Sequence, residues 1–177
     1  MKVVVVMVAS LNGKTTDGGL KNIHSWTSKE DADSFAAFLA KQKLIVMGSR
    51  TYEAAKKQMR ILPGQLRIVL TKSATKYHKQ AISGVLEFHS LSARALVSKY
   101  SRLGYKTMAL VGGAKTNRSF FASGLVDELR LTLEPYIFGS GEPIVLEGKF
   151  REKFSLISKK QINSSGTLEL VYRKIAK

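Results

Sequence analysis

The sequence predicts an α/β fold: a mostly parallel central sheet with helices on both faces and an antiparallel edge towards the C-terminus. Three observations carry this. Short apolar runs alternate with helical stretches about four times before the chain turns to strands alone. The first run, Val3 to Ala9, is apolar on both faces, as a doubly covered central strand requires. The last two runs, Phe154 to Gln161 and Thr167 to Arg173, are separated by the turn Asn163-Ser164-Ser165-Gly166, which suits an antiparallel hairpin.

Each element follows in order. Leu11 to Ile23 carries Asn12-Gly13 and Gly18-Gly19 and reads as a long loop, of the kind that often serves function. Ser28 to Lys41 is helical: Ala32, Phe35, Ala36 and Leu39 fall on one face, and Ser28 with Asp31 forms a start resembling a capping box. Leu44 to Met47 is a strand, Gly48 to Thr51 a turn, and Tyr52 to Gln58 a helix. Leu66 to Leu70 is a strand followed by the polar stretch Thr71 to Lys76. Val85 to Phe88 is a weaker strand, and Ser92 to Leu103 is a helix closed by Gly104. Thr107 to Val111 is a strand stopped by Gly112-Gly113, and Thr116 to Ala122 a short helix. In Asp127 to Leu133, Leu129, Leu131 and Leu133 alternate with Glu128, Arg130 and Thr132.

The chain has 177 residues, 44% apolar and 24% charged, with no repeat or linker, so residues 1–177 read as a single domain. The absence of Cys excludes a disulfide scaffold, a thiolate metal site and cysteine nucleophile chemistry. Lys and Arg number 29 against 13 Asp and Glu, a net charge of +16 that attracts anions. These cations are scattered singly or in pairs such as Lys56-Lys57, a pattern of solvated surface, and no nucleic-acid motif accompanies them. The apolar start is too short to span a bilayer and lacks a cleavage pattern, so the expectation is a cytoplasmic protein without membrane partners. His24, His78 and His89 share no ligand spacing, and no metal is expected.

Several strand ends share one device. Met47-Gly48-Ser49-Arg50-Thr51 and Val111-Gly112-Gly113-Ala114-Lys115-Thr116 each run from a strand through glycine towards a helix. Free N–H groups at a helix start bind anions, and glycine admits a phosphate close to the backbone. Leu70-Thr71-Lys72-Ser73 adds hydroxyls and a cation at a third strand end. In open α/β sheets such turns gather at the carboxyl edge. Three of them suit a ligand with several phosphates, such as a dinucleotide with an extra 2′-phosphate. Gly and Ser also end strands for purely structural reasons, and neither a Rossmann fingerprint nor a Walker loop is present.

These residues resemble the reductase domain of riboflavin biosynthesis, the RibD C-terminal type, and more distantly dihydrofolate reductase. Ala9-Ser10-Leu11-Asn12-Gly13-Lys14 is similar to the first-strand motif of the group. Trp26 to Phe35, Ile45 to Glu53, Val69 to Ser73, Leu110 to Gly113, Gly124 to Leu131 and Phe138 to Gly141 match further motifs in order. The resemblance implies a dihydrofolate reductase-like fold and an NADPH-dependent reductase, commonly a homodimer, that delivers hydride to a C=N or sugar-imine substrate. A 5-amino-6-(5-phosphoribosylamino)uracil reductase-like activity is the first expectation; dihydrofolate reduction, non-catalytic NADPH binding and a basic nucleic-acid module are the alternatives.

By the same resemblance Gly48, Ser49, Arg50 and Thr51 would hold phosphate oxygens. Leu70, Thr71, Lys72 and Ser73 would favour NADPH over NADH, and Val111, Gly112, Gly113, Ala114, Lys115 and Thr116 would line the pyrophosphate. Ala9, Ser10 and Asn12 would face nicotinamide and substrate, with Asn12 and Asp31 as the catalytic candidates and Trp26 as a substrate contact. Asp31 could bind an amino-heterocycle and assist protonation, or only cap its helix. Three positions depart from the family pattern: Asn12 replaces an Asp, Val6 a Lys and Val111 a Glu.

Overall fold

The computed structural model describes residues 1–19 and 25–175. Among them, eight strands form one sheet: β1 (Lys2–Ser10), β2 (Leu44–Gly48), β3 (Leu66–Leu70), β4 (Leu86–His89), β5 (Thr107–Leu110), β6 (Glu128–Glu134), β7 (Phe154–Gln161) and β8 (Leu168–Lys174). Their order is β4-β3-β2-β5-β1-β6-β8-β7. The pairs from β4 to β6 are all parallel, and β8 and β7 add an antiparallel edge. The α/β fold read from the sequence is the fold of the molecule.

Among the described residues four α-helices cover the sheet: α1 (Lys29–Ala40), α2 (Ser49–Ala55), α3 (Ala93–Arg102) and α4 (Ala114–Phe121). One apolar core packs Leu96 and Tyr100 of α3 and Phe120 and Phe121 of α4 against Val3, Val5, Val46, Ile68 and Leu110. The other packs Phe35, Phe38 and Leu39 of α1 and Tyr52 of α2 against Ile45, Met47, Val69 and Ala109. Alternate residues of the central strands thus feed opposite cores, which is why those strands read as continuous apolar runs.

Two helices begin earlier than the sequence suggests. Gly48 and Gly113 are themselves the N-caps of α2 and α4, so Ser49 to Thr51 and Ala114 to Thr116 are first helical turns, not loops. Neither cap has a side chain to bond the free N–H groups, which removes the usual sequence signal. The stretch after β3 enters a 3-10 helix at Ala74–Gln80, anchored by buried Tyr77 stacked on Phe88 with centroids 4.6 Å apart. Of the expected Leu11 to Ile23 loop, residues 20–23 lie outside the described residues, as does His24. The described part is clipped to residues 142 and 143: Thr15 N–H donates to the Glu142 carbonyl at 2.7 Å, and Lys14 bridges Pro143.

Candidate functional site

The carboxyl ends of β2 and β5 bring two glycine turns together. Gly48 N–H donates to the Gly112 carbonyl at 2.8 Å, so the starts of α2 and α4 are neighbours. The Gly112–Gly113 peptide is cis. A Cβ on Gly48 would run into Thr116 Oγ1, and one on Gly113 would stand 3.1 Å from Thr51 Oγ1. Backbone N–H groups and two threonine hydroxyls therefore share a space that only glycine leaves open. Leu70 pairs in register with Gly48, so the Thr71-Lys72-Ser73 turn leaves the sheet beside this pair. Within that turn the Ser73 N–H donates to Thr71 Oγ1 at 3.2 Å.

A cleft of about 810 Å³ opens from these helix starts across the sheet to α1. Arg50, Thr51, Val111, Gly113 and Ala114 line it on one side, and Trp26 and Asp31 on the other. Gly48, Ser49, Gly112, Lys115 and Thr116 sit in the turns behind it, and Leu70 to Ser73 lie outside its lining. Arg50 reaches across the rim and pairs with Glu142 at 3.1 Å.

Asp31 is 7% exposed, in the first turn of α1. Its backbone N–H donates to Ser28 Oγ at 3.2 Å, which is the expected cap. The Ser28 N–H, however, donates to Glu134 Oε1 at 2.7 Å, so a carboxylate from the end of β6 completes the helix start. Thr167 Oγ1 donates to the other Glu134 oxygen at 2.7 Å. Trp26 packs edge-on against Tyr136 and Phe138. Its indole N–H is buried without a hydrogen-bond partner among the described residues.

The first-strand candidates occupy a different place. Ala9 and Ser10 are fully buried and, with Asn12, lie outside the cleft lining. Ser10 Oγ donates to Asn12 Oδ1 at 2.7 Å and accepts the Lys14 N–H at 3.0 Å. Asn12 Nδ2 donates to the Phe138 carbonyl at 2.8 Å, and Asn12 Oδ1 accepts the Phe138 N–H. The amide clasps two loops with both of its ends. An ionised Asp has no donor for that carbonyl, which gives the Asn12 departure a structural reason.

Sequence reasoning missed the polar side of the sheet floor. Val6, Arg130 and Val171 lie side by side across β1, β6 and β8, and so do Val8, Thr132 and Glu169. All six line the cleft. The signal was present as Glu128, Arg130 and Thr132 alternating with leucines, but that side reads as solvent-facing until α1 is placed over it. The Arg130 guanidinium lies 4.9 Å from the Phe38 ring centroid, and its Nε donates to Glu128 at 2.9 Å. Burial pushes the Glu128 carboxyl up, but bonds from Lys2 and Arg130 outweigh this and hold it below the usual carboxylate value. Ser34 Oγ donates to Glu169 Oε1. Among the described residues no His, Asp and Glu side chains gather as a metal set.

The model of the RibD C-terminal domain family matches residues 1–168. The chain belongs to that family. YwjB of Bacillus subtilis is 25% identical over 174 residues, 96% of this chain and 97% of that one. The solved structure of a Shewanella sp. PV-4 protein superimposes with a TM-score of 0.84 at 20% identity, covering 99% of this chain and 100% of that one. The Thermotoga maritima diaminohydroxyphosphoribosylaminopyrimidine deaminase/5-amino-6-(5-phosphoribosylamino)uracil reductase gives 0.72 at 14% identity, covering 98% of this chain and 56% of that one. The RibD reductase-like fold expected from the motifs is thereby shown.

Proposed function

We propose that this protein is an NADPH-dependent reductase acting on a C=N bond of an amino-heterocycle or sugar imine. The observation that carries this is the joining of two glycine-started helices, α2 and α4, at the end of a cleft whose far wall holds Asp31 and Trp26. Family membership and the RibD relatives support the same reading.

The residues present fit a dinucleotide. Its pyrophosphate needs backbone N–H donors that it can approach closely, and the Gly48–Gly113 pair leaves space a Cβ would fill. Ser49, Thr51, Ala114 and Thr116 would donate to phosphate oxygens, while Thr71, Lys72 and Ser73 would take the 2′-phosphate. NADPH would supply the hydride for reduction of the C=N carbon when bound there. The chain's residues position the two ligands and manage the proton. Val6, Val8 and Val111 give the cleft floor apolar surface that excludes water from the reacting carbon. Asp31 holds the heterocycle through its N–H groups and relays a proton to the nitrogen. Trp26 closes the wall beside it. The assembly we expect is the homodimer of the RibD type.

Calorimetric titration tests this reading. NADPH should bind at one site per chain and roughly tenfold or more tighter than NADH, because charge-assisted bonds to the 2′-phosphate are lost with NADH. Equal affinity removes the role given to the 71–73 turn. NADPH binding without turnover on any imine would leave the protein a non-catalytic binder.

A further inference from the structure

Glu134 is a buried acid with no part in the chemistry placed in the cleft. It ends β6 on the side of Arg130 and Thr132, which line the cleft floor, yet it lies outside the lining and is only 2% exposed. Among the described residues no cation pairs with it. A buried carboxylate is costly unless its oxygens find donors, and here both do. Oε1 accepts the Ser28 N–H and Oε2 the Thr167 hydroxyl, each at 2.7 Å. Ser28 is the N-cap of α1 and stands in the chain between Trp26 and Asp31, which line the cleft. Thr167 is fully buried and leads into β8, just ahead of the lining residue Glu169. Its hydroxyl is itself oriented: Asn163 Nδ2 donates to it at 2.9 Å, which turns its proton towards Glu134. Asn163 Oδ1 also accepts the Thr167 N–H at 3.1 Å. The chain after Glu134 supports the same wall, since Tyr136 and Phe138 pack edge-on against Trp26.

We propose that Glu134 is a positioning residue of the cleft: one side chain ties the starts of α1 and β8 to the end of β6, and so sets where Asp31 stands over the sheet floor. A carboxylate suits this task because it only accepts, so both neighbours turn their donors to it. Glu134 acts through α1 and β8 and touches neither cofactor nor substrate. The glycine-started end of the cleft, at α2 and α4, shares no hydrogen bond with this network among the described residues. The catalytic consequence rests on the reductase reading; the positioning of α1 rests on the hydrogen bonds alone.

Two variants of the full chain separate bonding from charge. Glu134→Ala leaves both donors unpaired. Glu134→Gln keeps a carbonyl for the Ser28 N–H and turns its amide N–H to the Thr167 oxygen. The first readout needs no ligand: amide hydrogen exchange at Ser28 and Asp31 should quicken roughly tenfold or more in Glu134→Ala, with β1 and β2 unchanged, and stay near the parent in Glu134→Gln. The second is kinetic, at a temperature well below the Tm of each variant. With 5-amino-6-(5-phosphoribosylamino)uracil or dihydrofolate, whichever the parent reduces, kcat/KM should fall roughly tenfold or more in Glu134→Ala and recover in Glu134→Gln. NADPH affinity by calorimetry should hold in both, which a general loss of structure would not allow. Thr167→Val removes one of the two bonds at nearly the same shape and carries the same test, in the same direction, if Glu134→Ala does not fold. Parent exchange rates or parent kcat/KM in the variant lacking the bonds would overturn the proposal. So would a Glu134→Gln protein as impaired as Glu134→Ala. A parent that reduces neither compound would count against the reductase reading alone, and the exchange rates would still decide whether Glu134 positions α1.

Discussion

Gly113 has a backbone that any residue can adopt, φ −79° and ψ −172°, so its lack of a side chain reflects space rather than conformation. Gly113→Val should therefore fold, with a Tm lowered by crowding against Thr51 Oγ1, and lose NADPH binding; calorimetry beside a thermal melt reads both. Normal binding by the folded variant would make the diglycine a strand terminator only. Asp31 carries the other residue-scale test. Its backbone N–H, not its carboxylate, bonds Ser28 Oγ, so Asp31→Asn keeps that cap. The lost charge near a helix start costs up to about 2 kcal/mol at this buried position. If Asp31 binds and protonates substrate, kcat/KM should fall roughly 10²-fold while NADPH affinity holds. Unchanged turnover on an active substrate would leave it a structural acid. At this scale the sequence did not show what Asn12 bonds to. A residue at a loop start beside a family motif reads as catalytic, and the structure adds that its amide clasps the N–H and the carbonyl of Phe138.

The elements were legible where burial or a cap left a mark. β3 and β7 keep the limits expected from apolar runs and turn residues, and Ser28 and Ser92 cap α1 and α3 through their side chains. The starts of α2 and α4 were not legible, because glycine caps offer no side chain to recognise. Ser28→Ala should lower stability by about 1 kcal/mol in urea melts, since Asp31 N–H loses its acceptor. A second element-scale contact ties β4 to α3. Glu87 Oε2 accepts from Tyr100 OH at 3.0 Å and lies 3.0 Å from His89 Nε2. Burial pushes the Glu87 carboxyl up, but the bonds from His89, the Gly84 N–H and Tyr100 outweigh it and hold it below the usual value. Burial and the Glu87 contact push the Tyr100 phenol up.

Across the whole molecule, Glu87 and Glu128 make stability depend on pH in the acid range. Each is more acidic folded than unfolded, where the value is about 4.3. Their contribution is therefore complete above that value and is lost as pH falls through the lowered folded values. Tm should drop across that window, and Glu128→Gln should flatten part of the drop. The architecture was visible in the order of strands and helices. The cleft was not, because Arg130, Thr132 and Glu169 face inwards only once α1 lies over β6 and β8.

NADPH bound in this cleft would lie against the wall containing Trp26, the chain's single tryptophan. Its fluorescence during an NADPH titration tests this most directly. Emission should fall saturably as energy passes to the bound nicotinamide, at lower concentrations for NADPH than for NADH, and the effect should vanish in Gly113→Val. Unchanged Trp26 emission while calorimetry reports saturated NADPH binding would place the cofactor elsewhere and contradict the account.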